Sequence, residues 1–258
     1  MELNALLLPN KVIGFCFVLL SSVGTVLSQG FDWEYSNRLP FEVPTMFIGG
    51  FVGGIQYYHT GQINQIEKQI LCVEYSEGKG FGIRSGLVGE YWLDGEVAIN
   101  GKVGFENMIA DFRQKSTPVP IDDNNILQSE YSLYAVLPSI SVGAFVKKRM
   151  FDSFLWFGCG VDFRGIISKK VESSETIISP EGRVFDDGLQ KRIFLDDLTS
   201  LRTLTVYPAL YIGYDAQLSK GLYVSPTIKA GIPLLNNSDV ANWKVWLYSL
   251  EVSILYGL

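Results

Sequence analysis

The sequence predicts an all-β protein: an eight-stranded antiparallel up-and-down transmembrane β-barrel. Three observations predict it. Hydrophobic residues make up 47% of the 258-residue chain, yet charged residues still reach 19%, and no internal stretch of about 18 residues is both apolar and uncharged. Eight runs of the chain alternate apolar and polar residues with a period of two. The connections between those runs alternate between short turns and long polar segments, as they do in barrels that cross an outer membrane.

The elements follow in chain order. Residues 1–28 read as a signal peptide: Lys11 precedes the apolar run Val12 to Leu20, and Val26 and Ser28 occupy the small-residue positions before a cleavage site. Residues 29–44 then form an N-terminal segment in the periplasm, with Trp33, Tyr35 and Phe41 giving it more than linker character, and residues 45–258 form the barrel. The alternating runs cover Thr45–Tyr58, Lys79–Leu93, Glu96–Phe112, Tyr131–Lys148, Ser153–Lys169, Leu201–Leu218, Gly221–Leu235 and Trp243–Leu258. Each is longer than the roughly nine to eleven residues that carry a tilted strand across a bilayer. Asp94-Gly95, "RMFD" from Arg149 and "SKG" from Ser219 are the short turns. His59–Gly78, Arg113–Glu130, Lys170–Ser200 and Asn236–Asn242 are the longer connections, and an even strand number puts these on the outer side. Within the longest, "PEGRVFDDG" reads as an acidic hairpin extension, and surface loops on a rigid scaffold commonly carry binding.

Alternation also assigns faces. Trp246, Tyr248, Leu250, Val252, Ile254, Tyr256 and Leu258 share one face of the last run, opposite Ser249, Glu251 and Ser253. Leu204, Val206, Leu210, Ile212 and Leu218 oppose Thr203, Thr205, Asp215 and Gln217; Leu155, Phe157, Val161 and Phe163 oppose Asp162 and Arg164; Phe81, Ile83, Leu87, Tyr91 and Leu93 oppose Arg84, Glu90 and Trp92. The apolar face is expected to meet lipid, and charge there costs about 2–4 kcal/mol at mid-bilayer. Phe47 with Tyr57, Phe81 with Tyr91 and Trp246 with Tyr256 are placed on that face as aromatic girdles. Pro138, Pro208, Pro226 and Pro233 fall inside the runs, where proline removes a ladder donor, and so point to bulges or strand ends.

The inward register holds five basic residues, Arg84, Lys102, Lys147, Arg164 and Lys229, and five acidic ones, Glu90, Glu106, Asp162, Asp215 and Glu251. An eight-stranded barrel is just wide enough for side chains to fill. Ten charges there must be paired or hydrated, so the expected lumen is a salt-bridged plug. Gly82 and Gly86 fall on the same face as Arg84 and read as room for its guanidinium; no helix follows the "GKGFGIRSG" stretch, which excludes a dinucleotide loop. His59 is the only histidine and reads as a loop residue. No catalytic residue, metal site or cofactor is expected: "IDDNN" lacks the spacing of a calcium loop. Of the barrel's two cysteines, Cys72 reads as a loop residue and Cys159 as part of a strand, and they are not expected to pair. A net charge of −6 leaves no footprint for nucleic acid.

"FIGGFVGGIQYYH", "CVEYSEGKGFGIRSGLVGEYWL" and the ending "WKVWLYSLEVSILYGL" resemble the PorT-like outer-membrane β-barrel family of the Bacteroidota type. The resemblance covers most of the residues after the signal peptide. It implies an outer-membrane protein without an enzyme's residues, acting structurally, as a binding protein or as a secretion or assembly partner. The partners it implies are outer-membrane lipid, the barrel-insertion machinery and a periplasmic or secretion-system protein. Ile254, Tyr256 and Leu258 resemble the C-terminal signal that the insertion machinery reads, with Leu258 where that signal usually carries phenylalanine. A narrow passive channel and a lipid-modifying enzyme are the alternatives.

Overall fold

The computed structural model describes residues 45–66, 69–122, 125–150, 153–197 and 200–258. The expected signal peptide and periplasmic segment lie outside the described residues. Twelve strands form: β1 (Met46–Ile66), β2 (Gln69–Trp92), β3 (Val97–Lys115), β4 (Val119–Asp122), β5 (Asn125–Arg149), β6 (Leu155–Ile166), β7 (Lys170–Ser179), β8 (Lys191–Asp197), β9 (Leu204–Tyr214), β10 (Ala216–Ser219), β11 (Leu222–Gly231) and β12 (Asn242–Gly257). Eight of them close a ring in the order β1-β2-β3-β5-β6-β9-β11-β12, all pairs antiparallel. Closure comes from β1 on β12, in register from Phe47↔Gly257 to Gln62↔Asn242. The other four strands are additions: β4 pairs with β5, β10 with β11, and β7 and β8 form a hairpin on the far half of β5.

The ring exists because nearly every strand has one apolar and one polar face. In β12 exposure alternates without a break from Asn242 to Tyr256. Leu87, Ile83, Val103, Leu250, Ile254 and Ile228 are exposed on the outer wall, whereas Arg84, Glu106, Ser141 and Glu251 are buried within. This is the inverse of a water-soluble barrel and the distribution of one that meets hydrocarbon on its outside. Among the described residues, no helix is long and apolar enough to cross a membrane.

Several expectations are corrected. Phe47 and Tyr57 are buried in the lumen, and Tyr58 takes the outward position. β1 is apolar on both faces, so alternation alone does not orient it. Thr203 precedes β9 and is exposed, not inward. Three long connections are mostly strand: β1 runs to Ile66 and β2 starts at Gln69, which puts Cys72 in a strand; Lys115 to Asn125 holds β4; and Lys170–Asp197 holds the β7–β8 hairpin. Polar residues on both faces mark strand that has left the membrane and reads as loop. The turn at Asp94 closes through the Asp94 side chain, whose Oδ1 accepts from the Glu96 and Val97 amides at 2.8 and 2.6 Å. Those donors hold the carboxyl below the usual carboxylate range.

The prolines sit where ladders change. Pro138 lies where β5 passes from β6, ending at Ser139↔Ile166, to β7, starting at Val136↔Lys170. Pro226 lies between the β10 ladder, at Ala216↔Val224, and the β9 ladder, at Thr227↔Gly213. Pro208 is just past the last β9–β11 pair, Gly231↔Ala209, and Pro233 follows β11. Each missing donor thus falls at an interruption.

Gly82 and Gly86 face inward, but their role differs from the expected one. A Cβ at Gly86 would strike the Val103 carbonyl and approach the Gly104 Cα to 2.5 Å; one at Gly82 would strike the Asn107 carbonyl. The space belongs to the backbone of β3, not to the Arg84 guanidinium. A glycine that does make room for a buried charge is Gly143, whose Cβ would collide with the Asp162 carboxylate. Gly86→Val is expected to destabilise the barrel by about 1–3 kcal/mol through forced strand separation. Gly101→Val, at an outward position with nothing within 4 Å of a Cβ, is expected to change little. Urea titration followed by heat-modifiable gel migration compares the two.

Candidate functional site: an ion-paired lumen

All ten inward charges are buried, each at 4% exposure or less. They fall into a central group and one nearer the tight turns. In the central group, β2 supplies Arg84, β3 Lys102 and Glu106, β6 Arg164 and β12 Glu251. Glu251 accepts from Arg84 Nη1 at 2.9 Å, from Lys102 Nζ at 2.8 Å and from Ser249 Oγ at 2.8 Å. Glu106 faces Arg84 Nε at 3.7 Å and pairs with Arg164. Arg84 also donates to Ser141 Oγ at 3.1 Å. Lys229 of β11 pairs with Asp162 of β6, and the Tyr211 hydroxyl donates to the same carboxylate at 3.3 Å.

The second group is built on Lys147 of β5. Its Nζ lies 3.0 Å from Glu90 Oε2 and 2.7 Å from Asp215 Oδ2. Asn100 Nδ2 donates to Glu90 at 3.0 Å, while Trp156 Nε1 and Ser225 Oγ donate to Asp215 Oδ1 at 3.0 and 2.8 Å. Carboxylates with several donors each are the arrangement that a buried ion needs.

Aromatic rings line these charges. Phe51 lies under both Arg84 and Lys102, at 5.1 and 5.2 Å; Tyr207 faces Arg164 at 4.8 Å; Trp156 faces Lys147 at 4.7 Å. Sequence reasoning missed Phe51, Phe145, Trp156, Tyr207 and Tyr211 as lumen residues. Parity could have found most of them: Tyr207 and Tyr211 share odd numbering with Thr205 and Asp215, and Trp156 shares even numbering with Asp162 and Arg164.

Two apolar clusters pack with the charges. Toward the long hairpins, Ile55, Met108, Phe112, Leu133, Leu137, Val245 and Leu247 pack together with Leu201 and Ala241 from the connecting segments. Those segments are tied to each other: Arg202 N donates to Asn237 O at 2.8 Å, and the Tyr207 hydroxyl to Asn237 Oδ1 at 3.0 Å. Toward the tight turns, Phe47, Phe51, Val88, Trp92 and Leu255 form a second cluster that interleaves with the Lys147 group: Glu90 lies between Val88 and Trp92 on β2 and opposite Phe47, and Lys147 faces the Trp92 ring at 5.3 Å.

His59 is part of the first cluster, not of a loop. It is 1% exposed; Trp243 Nε1 donates to its Nδ1 at 3.1 Å, and its Nε2 lies 2.9 Å from the Ile109 carbonyl. With Nδ1 accepting, the proton sits on Nε2 and the ring is a neutral packing element. Cys159 is a free thiol on the outer wall. Of "IDDNN", residues 123 and 124 lie outside the described residues; the remainder belongs to β4 and β5.

Beyond the ring, the β7–β8 hairpin ends in a tip where Asp187 pairs with Arg192 at 2.8 Å and Arg192 stacks on Phe185 at 4.2 Å. β8 is the edge of the sheet, and its Ile193, Phe194 and Leu195 are all exposed.

No protein-family model and no curated protein matches the chain. Solved barrels resemble it at low identity. Outer membrane protein AlkL, solved by solid-state NMR in DMPC bilayers, gives a TM-score of 0.42 at 13% identity over 88% of this chain and 97% of that one. The crystal structure of OprG from Pseudomonas aeruginosa gives 0.39 at 11%, over 83% and 97%. Neisserial surface protein A gives 0.38 at 9%, over 83% and 97%.

Proposed function

We propose that the chain is a non-enzymatic outer-membrane protein, a closed barrel that presents its long hairpins as a binding or assembly surface. The observation that carries this reading is the filled lumen. Ten paired charges fill the lumen together with two apolar clusters, and the connecting segments at Leu201 and Ala241 complete the cluster on the long-hairpin side. A passage for solute would have to break buried ion pairs, and removing a partner from such a pair costs several kcal/mol. A lipid-modifying enzyme would have His59, the only histidine, as its candidate residue, and both of its ring nitrogens are engaged inside the barrel. At the long-hairpin end the β7–β8 hairpin is exposed, with an open edge and three consecutive apolar side chains.

The PorT-like resemblance fits this reading. It suggests a secretion-system or periplasmic protein as partner, export by the signal peptide, and assembly by the barrel-insertion machinery acting on the β12 ending. No nucleic acid is expected as partner. Purified protein in planar bilayers is expected to give no discrete conductance steps, and a photo-crosslinker at Leu195 is expected to capture a partner in the native envelope. Reproducible steps from heat-modifiable, folded protein would overturn the closed-barrel reading in favour of a channel.

A further inference from the structure

On the outer wall, β1 and β12 carry an open groove of about 640 Å³ lined by Gln56, Tyr58, Trp246 and Tyr248. The register explains it. Tyr58 stands between Trp246 and Lys79 in one cross-strand row, and Gln56 between Tyr248 and Phe81 in the row below. Tyr58 and Tyr248 meet edge to face, with centroids 5.8 Å apart, so the two rings cannot both lie flat on the wall.

Two features set this patch apart from an ordinary aromatic girdle. Gln56 is an amide on the lipid-facing wall, where polar groups are expensive and mark function. Its Nε2 donates to the Gly80 carbonyl at 2.9 Å, which fixes the amide and leaves its oxygen to accept from a ligand. The second feature is charge beside and above the aromatic rings. Lys79 Nζ lies 5.9 Å from the Tyr58 centroid, and Lys244 is one outward position above Trp246, opposite Thr60. Among the described residues neither lysine forms an ion pair. Asp111, next to Lys79 in register, is held by Arg113 at 3.1 Å, and Glu77 stands on the other side of Thr60.

We propose that this groove binds a phosphorylated, multiply acylated lipid of the outer leaflet. The proposal rests on the outer-membrane reading above, which puts the long-hairpin end of the barrel in that leaflet. Lys79 and Lys244 take the phosphate, an acyl chain lies between Tyr58, Tyr248 and Trp246, and the Gln56 oxygen accepts from an amide or hydroxyl of the headgroup. The volume is within the range of small-molecule pockets, roughly 300–1,000 Å³. Lys244 is one row above Trp246 and Lys79 is level with it against the Tyr58 ring, so basic residues border the aromatic patch above and on one flank.

Native mass spectrometry of the detergent-purified protein tests it, with diphosphoryl lipid A and phosphatidylethanolamine as probes. One saturable lipid A adduct is expected, with at least tenfold weaker binding of phosphatidylethanolamine. Lys79→Ser/Lys244→Ser is expected to weaken lipid A binding at least tenfold, and Gln56→Leu several-fold. Lys148→Ser, at an exposed position by the tight turns, is expected to leave it unchanged. Heat-modifiable migration checks that each variant is folded. Equal lipid A binding by the double variant, or equal binding of the two lipids, would overturn the site. The conductance measurement is independent of this titration, so failure of the closed-barrel reading and failure of the lipid site are separable.

Discussion

Glu251→Ala is expected to destabilise the barrel by about 3–5 kcal/mol, because it removes one anion and strands two buried cations. Arg84 and Lys102 both end on this carboxylate, at 2.9 and 2.8 Å, and all three side chains are at most 4% exposed. Arg84 keeps only the longer contact to Glu106 and the Ser141 hydroxyl. Glu251→Gln retains the volume and loses the charge, so its cost isolates electrostatics from the cavity. Arg84→Met/Glu251→Leu is expected to recover part of the loss, since replacing both partners of a buried pair is far less costly than removing one. Urea unfolding read by tryptophan fluorescence, with gel migration as a second probe, measures the cycle. A cost for Glu251→Ala below about 1 kcal/mol would mean that water reaches the network, and the plugged lumen would fail with it.

The same residues show what the sequence could reveal about this molecule. Charge is rare enough on an alternating strand that Arg84, Glu251 or Asp162 orients its whole strand, and the ten lumen charges were legible on parity alone. β1 carries no charge between Met46 and Thr60. Phe47, Phe51, Ile55 and Tyr57 pack the lumen, whereas Ile48, Val52 and Tyr58 face out. Its orientation depends on the pairing Gly53↔Glu251, a contact between opposite ends of the chain that periodicity cannot supply. The glycines of β2 were misread for a related reason: the demand for space comes from the β3 backbone across the ladder, not from a neighbour in sequence. His59 looked like a loop residue because the strand's polar continuation hides its regularity. Its partners, Ile109 and Trp243, lie on β3 and β12.

Arginine at Val252 or at Ile212 is expected to cost about 2–4 kcal/mol each, and the double variant is expected not to assemble. Both side chains face outward, 40% and 43% exposed, on strands separated by β11. They share no partner, so their costs should add. The penalty is expected to fall to about 0–1 kcal/mol for Leu258→Arg, which sits at the tight-turn end where an arginine can reach the headgroups. That depth dependence makes the test decisive. On a barrel whose outer wall met water, arginine at an exposed position would change stability by no more than about 0.5 kcal/mol at either depth. Folding yield into vesicles, read by heat-modifiable migration, gives the series. A flat profile, or normal assembly of Val252→Arg/Ile212→Arg, would show that the apolar wall is not the surface that meets the bilayer, and the outward register of β9 and β12 would fall together.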